Sequence, residues 1–402
     1  MQVDELTAWL RLALTDGVGN ISARKLLAAF GLPQSIFEQS ALALEQMVSP
    51  AQAQALLTVP PGLDKQVEVT LAWLQQDTPT GIRRQLATLG DASYPQALLN
   101  LDDPPLMLYL LGVAGFKQNE PPALIDSAPV ATDNIAIDGM TKRQIDPARS
   151  LAMVGSRNPT PQGVANARQL AQALVEAGMT VVSGLALGID GAAHEGALAG
   201  AGELVGATVA VVGTGLDRVY PKAHRDLAHR IATAGLLVSE YPLGTPPLTA
   251  NFPKRNRLIA GLAQGTLVVE AALKSGSLIT ARLTNEQGKD VFAVPGSIHA
   301  AQSRGCHALI KQGAKLVESA QDVLDELKGF GAAQLVGGAS AEVAFGSNNL
   351  LLSALGFDPV GFDALQARTG LDTASLQAQL LELELDGKLA RLPGGLFQRQ
   401  AS

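Results

Sequence analysis

The chain has 402 residues, a formal net charge of −7, 47% hydrophobic residues and only 17% charged residues. This length exceeds one ordinary core and predicts two or three domains, and the composition excludes a chain that is disordered throughout. Cys306 is the single cysteine, which excludes a disulfide framework and a cysteine-based zinc site and favours a cytoplasmic location. The N-terminal stretch has no basic leader and no apolar run approaches the ~20 residues of a membrane span, so we expect neither secretion nor membrane insertion.

The negative charge is unevenly distributed. Between Leu151 and Ala320 the sequence carries 15 Lys and Arg against 11 Asp and Glu. Attraction to phosphate decays within a Debye length of ~8 to 10 Å. The sign of the charge near a binding site therefore matters more than the net charge of the whole chain. An acidic protein can therefore carry a basic groove.

Residues 1–75 are predicted to form a helical module of the helix-hairpin-helix or SAM-like kind. Its first two helices flank Gly17-Val18-Gly19, and Asn20 or Ser22 follows as a helix N-cap. Such a turn can present bare backbone N–H groups to a phosphate. The alternative is that the glycines only make a tight helical corner.

Residues 76–112 are predicted to be extended and to join the core. Residues 113–148 lack periodicity and are rich in proline, alanine and asparagine, which predicts a flexible surface insertion without an assigned function.

The core is predicted at residues 149–327. Six short apolar strands alternate there with helical stretches, which is the pattern of a parallel sheet covered on both faces. Because the carboxyl ends of parallel strands meet at one edge, a ligand is expected there. Five of the strands end in small, glycine or proline residues: Gly155, Ser183-Gly184, Gly213, Ser239 and Pro295-Gly296.

A linker at residues 328–347 precedes a terminal unit at residues 348–402. Three helices followed by a hairpin are the order of a winged helix. The third helix carries Asp372, Glu382, Glu384 and Asp386 and no Lys or Arg, so it should repel phosphate. We therefore favour contact with a protein over DNA binding as the role of this unit. A third reading is that the unit only stabilises the fold and binds no partner.

Four segments of the core are candidates for anion binding. They are Gly155-Ser156-Arg157, which lacks the G-x-G-x-x-G spacing of a dinucleotide site, the glycine-rich turn from Ser183, the basic run Lys254–Arg257, and Ser275-Gly276-Ser277 after Lys274. Each alone is compatible with a structural role. Together they favour an extended polyanion, although such a rim could also clamp a nucleotide with a phosphoribosyl group.

Catalytic and metal-binding patterns are weak. There is no Walker lysine motif, and the five histidines show no good metal-ligand spacing. Asp190 and His194 are interpreted as a cap or core pair, and Glu270 is the best lone candidate for a catalytic carboxylate. We therefore predict a protein that is not an enzyme and has no cofactor, no metal and no catalytic residues.

Several segments resemble the DNA-processing protein DprA family, also called Smf. They include "AMVGSRNPTPQG", "VVSGLALGIDGAAHEGAL" and "NFPKRNRLIAGLAQGTLVVEAALKSGSLITARL", and the similarity runs from about Leu151 to Val317. The resemblance implies a Rossmann-like core that binds single-stranded DNA without strong sequence preference. It also implies a homodimer that protects incoming DNA and loads the RecA recombinase during natural transformation.

The resemblance also implies a set of DNA-binding residues. Leu187 stands where most members have an arginine, which removes one expected phosphate contact. A rival reading is a related Rossmann-like enzyme that cleaves nucleoside monophosphates at the phosphoribosyl bond, but the "PGGxGT" turn of that group does not occur in this sheet. The implied DNA-binding residues are Gly155, Ser156, Arg157, Ser183, Gly184, Lys254, Arg255, Asn256, Arg257, Ser275, Gly276 and Ser277.

Overall fold

The computed structural model describes residues 2–79, 81–117, 134–137, 140–202, 205–327, 350–355 and 359–399. The predicted linker at 328–347 lies outside these residues, and so does much of the predicted insertion at 113–148. Where the chain is described on both sides of that insertion, Gly115 and Ile145 are joined by a backbone hydrogen bond of 2.9 Å.

The N-terminal module is a group of short helices packed around Trp9, Leu10 and Leu26. In the turn after the first helix, Gly17 has a φ of 72°, a conformation that favours glycine. The Gln52 side chain donates a hydrogen bond of 2.8 Å to the Gly17 carbonyl oxygen, which ties this corner to a later helix. The helices are α1 Val3–Leu14, α2 Asn20–Phe30, α3 Pro33–Phe37, α4 Ala41–Glu45, α5 Pro50–Leu57 and α6 Leu63–Gln75.

A nine-stranded sheet forms the core, in the order β1-β2-β8-β7-β6-β5-β9-β10-β11. The strands from β8 to β11 in this order are parallel, whereas β2 runs antiparallel to β8 and to β1. A separate hairpin pairs β3 Asn134–Ile137 with β4 Met140–Arg143. The sheet strands are β1 Arg83–Thr88, β2 Met107–Gly112, β5 Ser150–Val154, β6 Thr180–Ser183, β7 Thr208–Val211, β8 Leu236–Ser239, β9 Gly265–Val268, β10 Asp290–Ala293 and β11 Lys315–Leu316.

Both faces of this sheet are buried. One face packs Val182 and Val209 with Leu258, and the other packs Met153 and Val181 against helices of the opposite layer. Burial on both faces explains why the strands are continuous apolar runs, and it confirms the predicted α/β class with a Rossmann-like parallel sheet. The helices of the core are α7 Pro161–Glu176, α8 Ile189–Gly200, α9 Arg225–Ala234, α10 Asn251–Gly261, α11 Ser277–Glu286, α12 Arg304–Lys311 and α13 Ala320–Glu326.

The strand order reverses at β5. The chain leaves β5 for β6, β7 and β8 on one side and then returns to place β9 on the other side of β5. The loops that follow β5 and β9 therefore diverge and leave a crevice between them at the carboxyl edge.

The terminal unit has the element order of a winged helix. Its three-stranded sheet has the order β12-β14-β13, and Leu365, Leu376 and Phe397 belong to its core. Asp372 caps the third helix by accepting hydrogen bonds of 3.0 Å from the backbone N–H groups of the first turn. The elements are α14 Leu350–Leu355, β12 Val360–Gly361, α15 Phe362–Thr369, α16 Thr373–Leu385, β13 Leu389–Leu392 and β14 Leu396–Arg399.

Among all these described helices, none combines the length and the apolar character that crossing a membrane requires.

Candidate nucleic-acid interface

A cavity of about 440 Å³ opens at the carboxyl ends of β5 and β9, where the strand order reverses. Eight of the residues predicted to bind DNA line it. We call this cavity the switch-point crevice. These eight residues are Gly155, Ser156, Arg157, Arg255, Asn256, Ser275, Gly276 and Ser277.

The turn after β5 forms one wall of the crevice. A Cβ atom on Gly155 would lie 2.6 Å from Cγ1 of Ile189, so only glycine lets this turn approach α8. The Ser156 carbonyl oxygen accepts a hydrogen bond of 3.1 Å from the Ile189 N–H, and the Ser156 hydroxyl accepts one of 3.1 Å from the Asn158 N–H. The turn is thus fixed against α8 before any ligand binds.

Glu270 holds the far end of the same loop. Its carboxylate accepts hydrogen bonds from the Thr160 backbone N–H at 2.9 Å and from the Thr160 hydroxyl at 2.5 Å. Burial raises the pKa of Glu270, while the bonds from Thr160 oppose that shift. The carboxylate that the sequence favoured for catalysis therefore anchors the start of α7, and it is not among the residues that line the crevice.

Arg157 is one of two exposed cations that line the crevice, the other being Lys274. Its guanidinium carbon lies 5.7 Å from the ring centroid of Phe252, which also lines the cavity. No carboxylate of the described residues forms an ion pair with Arg157. Its charge is therefore available to a phosphate, and the nearby ring offers a surface on which a base can stack.

Arg255 lies at the base of the crevice and is only 3% exposed. Its Nη1 atom donates to the carbonyl oxygens of Gly184, at 2.7 Å, and Val211. Burial lowers the pKa of Arg255 to about 10, and the charge of the buried Asp190 opposes this shift. Arg255 thus joins the ends of neighbouring strands and contributes positive charge from below.

Ser183 and Gly184 support this base rather than line the crevice. The Ser183 hydroxyl donates a hydrogen bond of 2.6 Å to the Met153 carbonyl oxygen. A Cβ atom on Gly184 would lie 2.5 Å from Nη1 of Arg255, so glycine is needed for the guanidinium to fit.

The other two members of the basic run face away from the crevice. Arg257 is buried and ion-paired with Glu240 and, at 3.5 Å, with Asp103. Lys254 is exposed and lines a smaller cavity of about 160 Å³, together with Asn20 of the helical module. The run read from the sequence as one basic patch therefore splits into three environments.

The opposite wall of the crevice is the start of α11. The hydroxyl groups of Ser275 and Ser277 are 2.7 Å apart, and Ser277 N–H bonds to the Ser275 hydroxyl at 3.3 Å. Lys274, just before them, is exposed and lines the same crevice. A helix N-terminus beside a lysine favours an anion, because its first N–H groups and the helix dipole are both positive.

The remaining sequence candidates have structural environments. His194 is fully buried and pairs through Nδ1 with the Thr208 hydroxyl at 2.7 Å, and burial lowers the pKa of His194 to about 3. Leu187 is 46% exposed in the turn after β6. Within the described residues, no group of three or more His, Cys, Asp or Glu side chains could hold a metal ion.

Phe252 lines the crevice but is not among the site residues predicted from the sequence. It stands two positions before Lys254 in the run used for the resemblance, and aromatic residues next to basic residues are a known sign of base stacking.

This fold and crevice define a Rossmann-like protein with a phosphate-suited site at its switch point. The sequence model of the family described as DNA recombination-mediator protein A matches residues 118–328, and that of the DprA winged helix domain matches residues 346–395. The chain therefore belongs to the DNA recombination-mediator protein A (DprA/Smf) family, as its sequence predicted, and has a role in DNA processing.

Individual relatives agree with this membership. Protein Smf of Escherichia coli is 38% identical over 370 residues, which cover 90% of this chain and 86% of the relative. The DNA processing protein DprA of Streptococcus pneumoniae is 51% identical over 178 residues, or 44% of this chain and 61% of the relative. The X-ray structure of the Streptococcus pneumoniae protein aligns with a TM-score of 0.61 and 33% identity, covering 82% of this chain and 99% of that one.

Proposed function

We propose that the switch-point crevice binds single-stranded DNA without strong sequence preference. The observation that carries this proposal is the convergence of Arg157, Lys274 and the N-terminus of α11 around one cavity that also contains Phe252. Cations, hydroxyl groups and backbone N–H groups contact phosphates, which carry no sequence information. A stacked ring accepts any base, so neither kind of contact selects a sequence.

The shape of the crevice favours a single strand over a duplex. Its volume of about 440 Å³ lies in the range of pockets that enclose one small ligand. A phosphate with an unstacked base can enter such a pocket, whereas a paired base is held inside the duplex stack.

We further propose that the protein protects incoming DNA, loads the RecA recombinase onto it during natural transformation, and acts as a homodimer. The support is membership of the family and the resemblance from which these properties were inferred. Light scattering should give twice the chain mass of 41.6 kDa. RecA filament formation on single strands should start faster when the protein is added. A monomer in light scattering would contradict the homodimer, and an unchanged rate of filament formation would contradict the loading of RecA.

We propose no catalytic role. Two hydrogen bonds from Thr160 support the absence of a catalytic role. They occupy the Glu270 carboxylate, which a phosphoribosyl-cleaving enzyme would need free. Incubation with nucleoside monophosphates should release no free base. Release that depends on Glu270 would favour the enzyme.

The binding proposal is tested by comparing a labelled single strand with the duplex of the same sequence over a salt series. We expect the single strand to bind more tightly and log K to fall linearly with log salt, by about 0.7 for each phosphate contact. Equal affinity for the single strand and the duplex, or an affinity that does not change with salt concentration, would contradict the proposal.

A further inference from the structure

Helix α16 of the winged-helix unit is apolar on two faces. Leu376, Leu380 and Leu383 are buried in the core of the unit. On the other face Leu381 is 57% exposed and Leu385 is 80% exposed. The exposed Ala374 and Ala378 continue this second face at the same helical spacing. We call these four residues, Ala374, Ala378, Leu381 and Leu385, the outer stripe.

Carboxylates border the outer stripe. Helical geometry places Glu382 on one side of it and Glu384 on the other. The helix itself contains no Lys or Arg, and Asp386 at its end is paired with Lys388 at 3.0 Å. A surface of this kind repels phosphate and fits an apolar groove with a cationic rim.

The core carries such a groove. A cavity of about 650 Å³ beside α9 has an apolar floor that includes Leu111, Leu185, Leu216 and Leu237. Its rim carries four cationic residues, and Asp217, the acidic residue of the lining, is already paired with Arg218 at 2.9 Å. We call it the α9 groove. The cationic residues are Arg84, Arg218, Lys222 and Arg225.

Two of these cations are available. Lys222 and Arg225 are exposed, and neither takes part in an ion pair with a described carboxylate. The rim therefore has positive charge that is not neutralised, at the mouth of a cavity with an apolar lining.

We propose that the outer stripe of α16 docks in the α9 groove of the same chain. Leu381 and Leu385 enter the apolar floor, and Glu382 and Glu384 meet Lys222 and Arg225. Residues 328–349 connect the two parts, and 22 residues reach at most about 75 Å. A core of this size has a radius of gyration of about 16 Å, so the unit can reach the groove.

The connection also favours the same chain over a second copy. A tether of this kind gives the helix an effective concentration in the millimolar range at the groove of its own chain. A chain outside the proposed homodimer, at micromolar concentration, competes poorly with this tethered helix, and isotope mixing distinguishes the partner subunit of the homodimer.

Docking of α16 in the α9 groove also affects DNA binding. This step rests on the proposed function of the switch-point crevice. The Nδ1 atom of His224 is hydrogen-bonded to the Leu185 carbonyl oxygen at 3.0 Å, so the segment with Lys222 and Arg225 lies against the turn that follows β6. The docked helix covers cations at the same carboxyl edge as the crevice. A strand that runs from the crevice along this edge therefore competes with the docked winged-helix unit for Lys222 and Arg225.

The docking is tested on the full chain by carbodiimide cross-linking and mass spectrometry. The reagent joins a carboxylate and a lysine amine in direct contact into an amide. We expect a link from Glu382 or Glu384 to Lys222, within one chain in a mixture of isotope-labelled and unlabelled protein. Lys222→Arg keeps the charge and should remove the link.

The decisive variant replaces Leu381 and Leu385 by serine, with Leu42→Ser as the control at an exposed leucine of the helical module. The double variant should lose the link and the control should keep it. No link to Lys222 in wild type, a link between copies, or a link that survives in the double variant would overturn the proposal.

DNA binding gives an independent readout. If the groove is covered half to nine-tenths of the time, the double variant should bind single strands about 2- to 10-fold more tightly than wild type. Unchanged affinity would overturn the competition between helix and strand. If the link forms but no variant binds single strands, the docking stands and the proposed function fails.

Discussion

Arg157→Ala should weaken single-strand binding and leave stability unchanged. Arg157 is exposed, forms no ion pair with a carboxylate of the described residues, and lies 5.7 Å from the Phe252 ring centroid. A charge-assisted hydrogen bond is worth about 1.5 to 3 kcal/mol, and solvent screening of an exposed arginine reduces this to about 1 kcal/mol. Binding should therefore weaken about fivefold, and the salt slope of log K should shrink by about 0.7.

Two other arginines provide matched controls with the same change of charge. Arg257→Ala removes a buried partner of Glu240, so unfolding should become easier by about 3 to 5 kcal/mol while the salt slope stays the same. Arg282→Ala removes an exposed side chain whose ion pair, among the described residues, is with Glu286 of the same helix, and should change neither quantity.

The assay is fluorescence anisotropy of a labelled oligothymidylate at several salt concentrations, with urea unfolding of each variant in parallel. If Arg157→Ala keeps the wild-type slope, Arg157 does not contact phosphate. If Arg257→Ala lowers the salt slope without changing the free energy of unfolding, the Arg257 guanidinium contacts the DNA and is not held in a buried ion pair with Glu240.

Three further outcomes are expected. Glu240→Gln should lower the free energy of unfolding by about 3 kcal/mol in urea, because a buried guanidinium loses its main charge partner; an unchanged midpoint would contradict this. The pKa of His194 is about 3 in the folded chain and ~6.5 when unfolded. Unfolded chains therefore bind the extra proton, and stability should fall by up to about 1.4 kcal/mol per pH unit below pH 6. In thermal unfolding, His194→Gln should flatten this dependence and His229→Gln should not. Gly184→Ala should cost about 1 to 3 kcal/mol because its Cβ meets a buried guanidinium, whereas Gly276→Ala has open space and should cost far less; equal melting temperatures would refute this.

The sheet and the place of the site were predictable from the sequence. Each of the six apolar segments that alternate with helices forms a strand of the sheet. Parallel strands bring their carboxyl ends together, so the turns at Gly155 and Ser275 could be assigned to one edge before the strand order was known. The order adds that these two turns face each other across the switch point.

The directions of the basic side chains were not predictable. Lys254, Arg255 and Arg257 are neighbours in sequence, but a helix turns each of them toward a different environment. Which side faces the sheet depends on how α10 packs, and local sequence does not encode that. A partial signal was present, since Glu240 directly follows β8 and can neutralise a buried arginine.

Glu270 shows the same limit for a carboxylate. A glutamate at a strand end can act in catalysis or can anchor a neighbouring segment. Which role it has depends on the group that faces its carboxylate in the folded chain. Here Thr160 occupies it with two hydrogen bonds, which only the folded arrangement of β9 and α7 reveals.

The proposed function places a bound single strand in the switch-point crevice. Amide hydrogen exchange of the full chain, with and without a saturating oligothymidylate, tests it directly. Exchange should become slower at Gly155–Asn158 and at Ser275–Ile279 when the strand is bound. Unchanged exchange in both segments, with protection confined to the winged-helix unit, would contradict it.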